Sequence, residues 1–494
     1  MLLTRKSIAD ILTMLFYAGA TFFILTRHEP WRDEAQTWLI VHNVHSFGEF
    51  WMKLRYEQHP PLWYLVLLPF AKAGLPYFTQ HVIHWLLAVA ASAVFLIKAP
   101  FSRVFKTIFI FSYYMFFEYA VIARNYTPGI LLLFVIAAMY PHRFRYPLTF
   151  SLLVAGIFLS HALLFTAALT LAGVYFAETI MARQLSTRRS LAIVFMLAGG
   201  VIAFALGFFI PHDHISYQQI MTPDYLNAFT AMGRALFPTY RDVSLWLGAV
   251  IGVIVFFAAC LSLLNRPAVL LTAIGSFSGI IYILIFRNYG HLRHHGTLLV
   301  ILLFLLWIAT YYGEKTVPFL KKLASFGAHQ GRRFVLGALT CCLLLGIKYS
   351  VESSILEITK NFSGAKLMAE AITELSPRFH WEDQVIIGHP SNHAASVAVY
   401  LPQRTFWYSD LQEYGTYFMQ RPQTDSQNQL TRMEILQRAE KVFPNLTQIF
   451  FLVSRPFDFT TYKNYELKLI FKADENIWGY SYERFYLYKA IPVR

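Results

Sequence analysis

Charge is the scarcest commodity in this chain. Only 14% of its 494 residues are Asp, Glu, Lys or Arg, against about a quarter in soluble proteins. Acids are scarcer than bases, 28 against 42, leaving a formal net charge of +14. Cysteine is nearly missing as well: Cys260, Cys341 and Cys342 all sit in apolar runs and no CxxC pair occurs, which excludes a disulfide framework and a cysteine-based zinc site. No internal repeat is visible. No small-residue cleavage site closes the first apolar run, so that run reads as a retained anchor.

What the chain has instead is hydrophobic length, at 56% apolar residues. Splitting the charges at residue 350 locates the basic excess: the first 350 residues hold 27 Lys and Arg against 12 acids, the last 144 hold 15 against 16. The excess bases stand singly between long apolar runs, a pattern of membrane topology rather than of a nucleic-acid-binding face. A bilayer core about 30 Å thick needs roughly 20 apolar residues as helix. On that measure about eleven spans are expected, centred in 11–26, 82–98, 105–122, 128–140, 147–160, 162–181, 191–210, 243–264, 268–286, 297–312 and 334–349. Residues 60–75 are too short for a clean span and predict an interfacial or half-inserted helix.

Charge also sets the orientation. With the N-terminus in the cytoplasm, the inner connections hold 16 bases, among them Arg188, Arg189, Lys321, Lys322, Arg332 and Arg333, against Asp10, Glu178 and Glu314. The expectation is a multi-pass protein of the cytoplasmic (bacterial inner) membrane, with residues 1–350 in the membrane, a first outer loop at 27–61 and an extracytoplasmic segment at 351–494. That last segment has ordinary charge density. Strand patterns at 384–388, 404–408, 448–453, 466–472 and 484–489, with helix patterns at 363–375, 391–401 and 430–442, predict a small α/β domain.

Ionisable groups at bilayer edges are costly, so clusters of them are candidates for function. The densest is the first outer loop, with His28-Glu-Pro-Trp-Arg-Asp-Glu34 and Tyr56-Glu-Gln-His-Pro-Pro-Leu-Trp63. Trp31, Ala35, Trp38 and Leu39 fall at helical spacing and predict an amphipathic helix along the membrane surface. Asp33 and Glu34 would occupy its first turn, where carboxylates are favoured; Asp33 either caps that helix or meets a substrate. A second cluster, Arg287-Asn-Tyr-Gly-His-Leu-Arg-His-His-Gly296, could cradle phosphate through Arg287, Arg293 and His294 or bind lipid headgroups. Zinc held by His291, His294 and His295 is a weaker reading, since adjacent histidines point apart. The third cluster runs from Phe117-Glu118-Tyr119 to Arg124-Asn125-Tyr126 and serves either catalysis or pairing between spans. His161, alone in an apolar hairpin, reads as a satisfied interior histidine.

An acidic pair after the first span (Trp31-Arg-Asp-Glu-Ala35), then His59-Pro-Pro-Leu62, then Glu118 through Arg124-Asn-Tyr126, with a polar outer segment at the end, resembles the GT-C class of membrane glycosyltransferases. Within it the chain is most similar to the family-39-like protein O-mannosyltransferases and lipid A aminoarabinose transferases. The resemblance covers residues 1–300 in organisation. Ala35-Gln-Thr-Trp-Leu39 departs from both branches, so neither branch's donor nor acceptor is carried over. The resemblance implies an inverting transfer of a hexosyl or pentosyl group from a polyprenyl-phosphate donor to a hydroxyl or amine of a lipid, glycan or protein acceptor on the outer face, with membrane lipids as surroundings and no nucleic acid as partner. It implies Asp33 as base with Glu34 beside it, and His59, Glu118, Arg124, Arg287, Arg293 and His294 as substrate-binding groups. A divalent cation, Mg or Mn, would sit on Asp33 and Glu34 if one is used. Two other classes compete. A polar-lipid transporter or flippase should show repeats and broken helices near mid-membrane, whereas these charges gather at span ends; a non-catalytic envelope assembly protein would bind a partner through its outer segment.

Overall fold

The computed structural model describes residues 5–208, 211–215, 222–239, 241–286, 290–315, 327–379, 384–424, 430–479 and 482–493. The first long apolar helix, α1 (Arg5–Leu25), is followed by three short ones, α2 (Arg32–Asn43), α3 (Phe47–Glu57) and α4 (Leu62–Lys72). Then come α5 (Phe78–Lys98), α6 (Arg103–Phe111), α7 (Tyr126–Met139), α8 (Pro147–Phe158), α9 (Ala162–Met181) and α10 (Thr187–Phe208). The bundle is completed by α11 (Tyr225–Leu236), α12 (Leu245–Ser262), α13 (Pro267–Phe286), α14 (Leu292–Ile308) and α15 (Arg332–Thr359). Among the described residues, eight helices are long and apolar enough to cross a membrane, the make-up of a multi-pass membrane protein.

Eight is fewer than the eleven runs counted from hydropathy, because three of those runs are not single long helices. α7 and α8 have 14 and 12 residues. The run at 105–122 breaks at Ser112, whose ψ of 160° ends α6, and resumes as one wide π turn over Tyr114–Glu118. Such a break is tolerated inside a bundle only where its backbone finds partners. Here the Tyr119 carbonyl accepts from the Thr127 hydroxyl (2.9 Å), and the aromatic run ties the turn to its neighbours, the Tyr114 hydroxyl donating to the Arg234 carbonyl (2.5 Å) and the Tyr119 hydroxyl to the Arg293 carbonyl (2.7 Å). α4, at 11 residues, spans about 16 Å at 1.5 Å per residue and cannot cross the bilayer.

α14 is the axis of the bundle. Residues 295–308 are buried without interruption, and the sequence there is apolar on every side, as a surrounded helix must be. α11, which lies between two of the predicted spans, packs so closely on α12 that a Cβ on Gly233 would lie 2.5 Å from the Ala249 nitrogen. At one end of the bundle Arg143 pairs with Glu178 (3.0 Å), Glu178 accepts from Tyr312 (2.8 Å), and Asp10 meets Arg103 (3.1 Å). The opposite end carries α2, α3 and the C-terminal region.

α2 is not the surface helix that its spacing predicts. Residues 34–41 are buried all round, packed with Trp63, Tyr64 and Leu67 of α4 and with Ala395 and Val399 from the C-terminal region. That region is joined without a break, since α15 runs straight through residue 350. It continues as α16 (Ala365–Phe379), β1 (Val385–His389), α17 (Ser391–Ala398), β2 (Phe406–Tyr408), β3 (Glu413–Gly415), α18 (Arg432–Val442), β4 (Ile449–Val453), β5 (Thr461–Tyr462), β6 (Tyr465–Ala473) and β7 (Phe485–Pro492). The strands form one mixed sheet in the order β3-β2-β1-β4-β7-β6-β5, with β2, β1 and β4 parallel. Alternation along the strands fills two cores: Ile386, Phe406, Phe450 and Leu452 pack on α16 and α17, while Ile387, Trp407, Phe451 and Val453 pack on α18.

Candidate functional site

Asp33 and Glu34 are the second and third residues of α2, after Trp31 at its N-cap. Adjacent helical residues diverge by about 100°, and these two carboxylates do opposite things. Glu34 turns inward and is fully buried. Its oxygens accept from the Ala123 N–H (2.6 Å) and the Trp31 N–H (3.3 Å) and lie 3.0 Å from His28 Nε2 and 3.4 Å from His81 Nε2. His28 in turn places Nδ1 2.9 Å from Glu357 of α15. Burial alone would discharge His28, but Glu34 and Glu357 outweigh it and hold the imidazole at about 10; burial would raise Glu34, but His28 and His81 keep it below the usual carboxylate range. The result is a buried ion pair that ties α1, α2 and α15 together at one end of the bundle.

Asp33 turns the other way. Its Oδ2 is 3.0 Å from Arg293 Nη2 and 3.5 Å from Arg124 Nη2, and its Oδ1 is 3.7 Å from Arg32 Nε. Arg124 also donates to the Asp33 carbonyl (2.7 Å). Desolvation pushes the Asp33 carboxyl up, and Arg124, Arg293 and Arg32 together push it further down, so it is ionised at neutral pH. A quarter of its side chain is exposed, against 5% for Arg293 and 12% for Arg124. Arg293 lies over the Trp31 ring at 4.7 Å. Two guanidiniums held in the wall and one accessible carboxylate between them describe the centre of the site. Capping of α2 belongs to Glu34, which takes the Trp31 N–H.

The other residues named from the sequence fall around this centre, with one exception. Arg293 and His294 open the first turn of α14 rather than lying in a loop; His294 Nδ1 accepts from the His291 N–H (2.7 Å). Gly296 is where the π turn crosses this helix, since a Cβ there would sit 2.4 Å from Tyr114 and 2.5 Å from the Tyr119 hydroxyl. Glu118, in that turn, accepts from Tyr113 (2.8 Å), is buried, and has Arg293 as its main cationic neighbour. His59 follows the left-handed Gln58 (φ 54°) that ends α3, and Pro60 and Pro61, which lack N–H groups, lead into α4, with Pro61 at its N-cap. Burial and Arg124 hold His59 down to about 3, so it is a neutral imidazole. Arg287 lies outside the described residues. No group of three His, Cys, Asp or Glu among the described residues is placed to hold a metal, His291, His294 and His295 included.

Three groups join the site that the sequence reading did not assign to it. His161 accepts the Leu163 N–H at the start of α9 and is thus satisfied as expected (3.1 Å). It also stacks on Tyr126 (4.1 Å) with its ring 6.2 Å from His59 and 6.0 Å from His294. Gln36 bridges Glu57 (2.8 Å) and the Phe418 carbonyl of the C-terminal region (2.7 Å). Glu57, close to Arg124 and Asp33, is pushed up to about 7 by burial. Its signal was its place two residues before His59-Pro-Pro, in the densest polar loop. Searched against known proteins, the chain matches no family model and no curated protein.

Proposed function

We propose that this protein is an inverting glycosyltransferase of GT-C type, moving a sugar from a polyprenyl-phosphate donor to an acceptor hydroxyl or amine at the outer face of a cytoplasmic membrane. The observation that carries the reading is the accessible Asp33 carboxylate 3.0 Å from Arg293 and 3.5 Å from Arg124, at the bundle end where the C-terminal region docks. A lipid-linked sugar phosphate needs two things from a protein: a proton acceptor for the attacking group and positive charge for the phosphate that leaves.

The acceptor oxygen attacks the anomeric carbon, the bond from that carbon to the phosphate oxygen breaks, and the electron pair departs with the phosphate toward Arg293 and Arg124. The acceptor proton goes to Asp33. In the resting site the guanidiniums lower the basicity of Asp33; donor phosphate competes for them, so binding the donor restores proton affinity to the carboxylate beside it. His59, neutral, and Tyr126 flank the sugar, and Glu118 adds a nearby negative charge for Arg293. Glu34 fixes the helix that carries Asp33. The carboxylates do not suit a divalent cation: three arginines surround Asp33, and Glu34 is taken by His28, His81 and two backbone N–H groups.

The test is transfer by purified protein from a polyprenyl-phosphate sugar, with product anomers assigned by NMR. Transfer with inversion that disappears in Asp33→Asn supports the reading; movement of the intact lipid across vesicles with no transfer would replace it with a transporter.

A further inference from the structure

The sheet of the C-terminal region has a second polar concavity, independent of the Asp33 site and of the transferase reading. From β1 the chain passes through α17 to β2 on one side, and later through α18 to β4 on the other. Connections that diverge in this way leave a crevice beyond the C-terminal ends of the two parallel strands, where open sheets of this kind hold ligands. In this chain the crevice is a cavity of ≈ 550 Å³, within the range of about 300–1,000 Å³ usual for small-molecule sites.

Its walls come from three places. His389, the last residue of β1, is 6% exposed and places Nδ1 2.9 Å from Ser409 Oγ. Arg455 follows β4, and Arg432 opens α18 on the facing wall. Arg432 Nη1 is 3.3 Å from Asp458, itself 67% exposed and the one acid among the lining residues described. Glu434 is spent on the helix cap, where it accepts from the Thr431 N–H (2.7 Å) and hydroxyl (2.8 Å). Two arginines from different elements therefore face one space across an apolar patch of Met433 and Phe459.

We propose that this crevice binds a small phosphorylated molecule, with its phosphoryl group between Arg432 and Arg455 and its body against Phe459 and Met433. A phosphoryl group has three outward oxygens and can take charge-assisted bonds from both guanidiniums at once. The apolar patch and the volume leave room for a body beyond inorganic phosphate.

Full-length protein in detergent, titrated calorimetrically at low salt with glucose 1-phosphate, inorganic phosphate and glucose, tests this. Glucose 1-phosphate should saturate one site, phosphate should bind more weakly, and glucose should not bind. Arg455 is exposed on a turn, so Arg455→Ala should keep the thermal melt while weakening glucose 1-phosphate about tenfold or more, the usual worth of a hydrogen bond to a charged group. Phe459→Ala should bring glucose 1-phosphate toward the affinity of phosphate alone. The proposal is overturned by no saturable binding to wild type, by glucose binding as well as its phosphate, or by unchanged binding in Arg455→Ala, which would place the anion elsewhere, for example at Arg124 and Arg293.

Discussion

Replacing Asp33 by Asn removes a proton acceptor while leaving nearly everything else in place. The Arg124 bond to the Asp33 carbonyl is a backbone contact and survives, and the Asn oxygen can still accept from Arg293 across 3.0 Å. The helix keeps its own cap, because Glu34 takes the Trp31 N–H. What is lost is the charge of a quarter-exposed carboxylate facing arginines only 5% and 12% exposed; because the Asn oxygen keeps a contact, the cost should be about 1–3 kcal/mol, the usual worth of a hydrogen bond to a charged group, and the protein should still fold. Turnover should fall about a hundredfold to ten-thousandfold, the usual cost of losing a general base. Donor binding should hold or tighten, since phosphate no longer competes with a carboxylate for Arg293 and Arg124. The assay is single-turnover transfer from a polyprenyl-phosphate sugar, with donor affinity and melting measured on the same preparations. Retention of more than about a tenth of wild-type turnover would refute the argument; so would a large loss of stability, which would make Asp33 a structural residue.

Three further outcomes are expected. If Asp33 alone takes the proton, kcat/KM is flat through neutral pH, because its carboxyl lies below the usual range; a rise through about 7, abolished by Glu57→Gln, would transfer the role to Glu57, whose burial puts it there. His28→Gln leaves Glu34 and Glu357 buried without their shared cation and should cost about 3–5 kcal/mol of stability. The His28 contribution is fully present below the ordinary histidine value, about 6.5, and should be lost in wild type as pH climbs through about 10, as a melting series in pH would show. In a background lacking the native cysteines, an impermeant thiol reagent applied to intact cells should label Lys441→Cys and spare Ser186→Cys; labelling of Ser186→Cys would reverse the orientation.

Much of this structure is legible in the sequence wherever one local pattern decides the outcome. Long apolar runs such as 162–181 give α9 to the residue, and β1, β4 and β6 fall within a residue or so of where their strand patterns place them. The break after Phe111 was not legible, because Tyr114 and Tyr119 find their acceptors on helices more than a hundred residues away. α2 was misplaced for a related reason: its spacing is amphipathic, but the polar face is covered by the C-terminal region, through Gln36 and the Phe418 carbonyl. At the site, local sequence marked Asp33 and Arg293 as unusual polar residues in separate clusters; that they form one pair is a product of the helix packing. Separating the roles of Asp33 and Glu34 required knowing which neighbour each faces.

The unbroken course of α15 through residue 350 has a mechanical meaning. Its 28 residues make a strut of about 42 Å at 1.5 Å per residue, longer than the bilayer core, with Glu357 near its far end clasping His28 at the mouth of α1. The C-terminal region is therefore carried on a rigid post rather than tethered by a linker, and any tilt of that post is felt through His28 by Glu34 of the helix bearing Asp33. Cutting the chain at 350 would not release a soluble module and leave a working membrane half: it would cut through the post and leave the mouth of the bundle without its clasp.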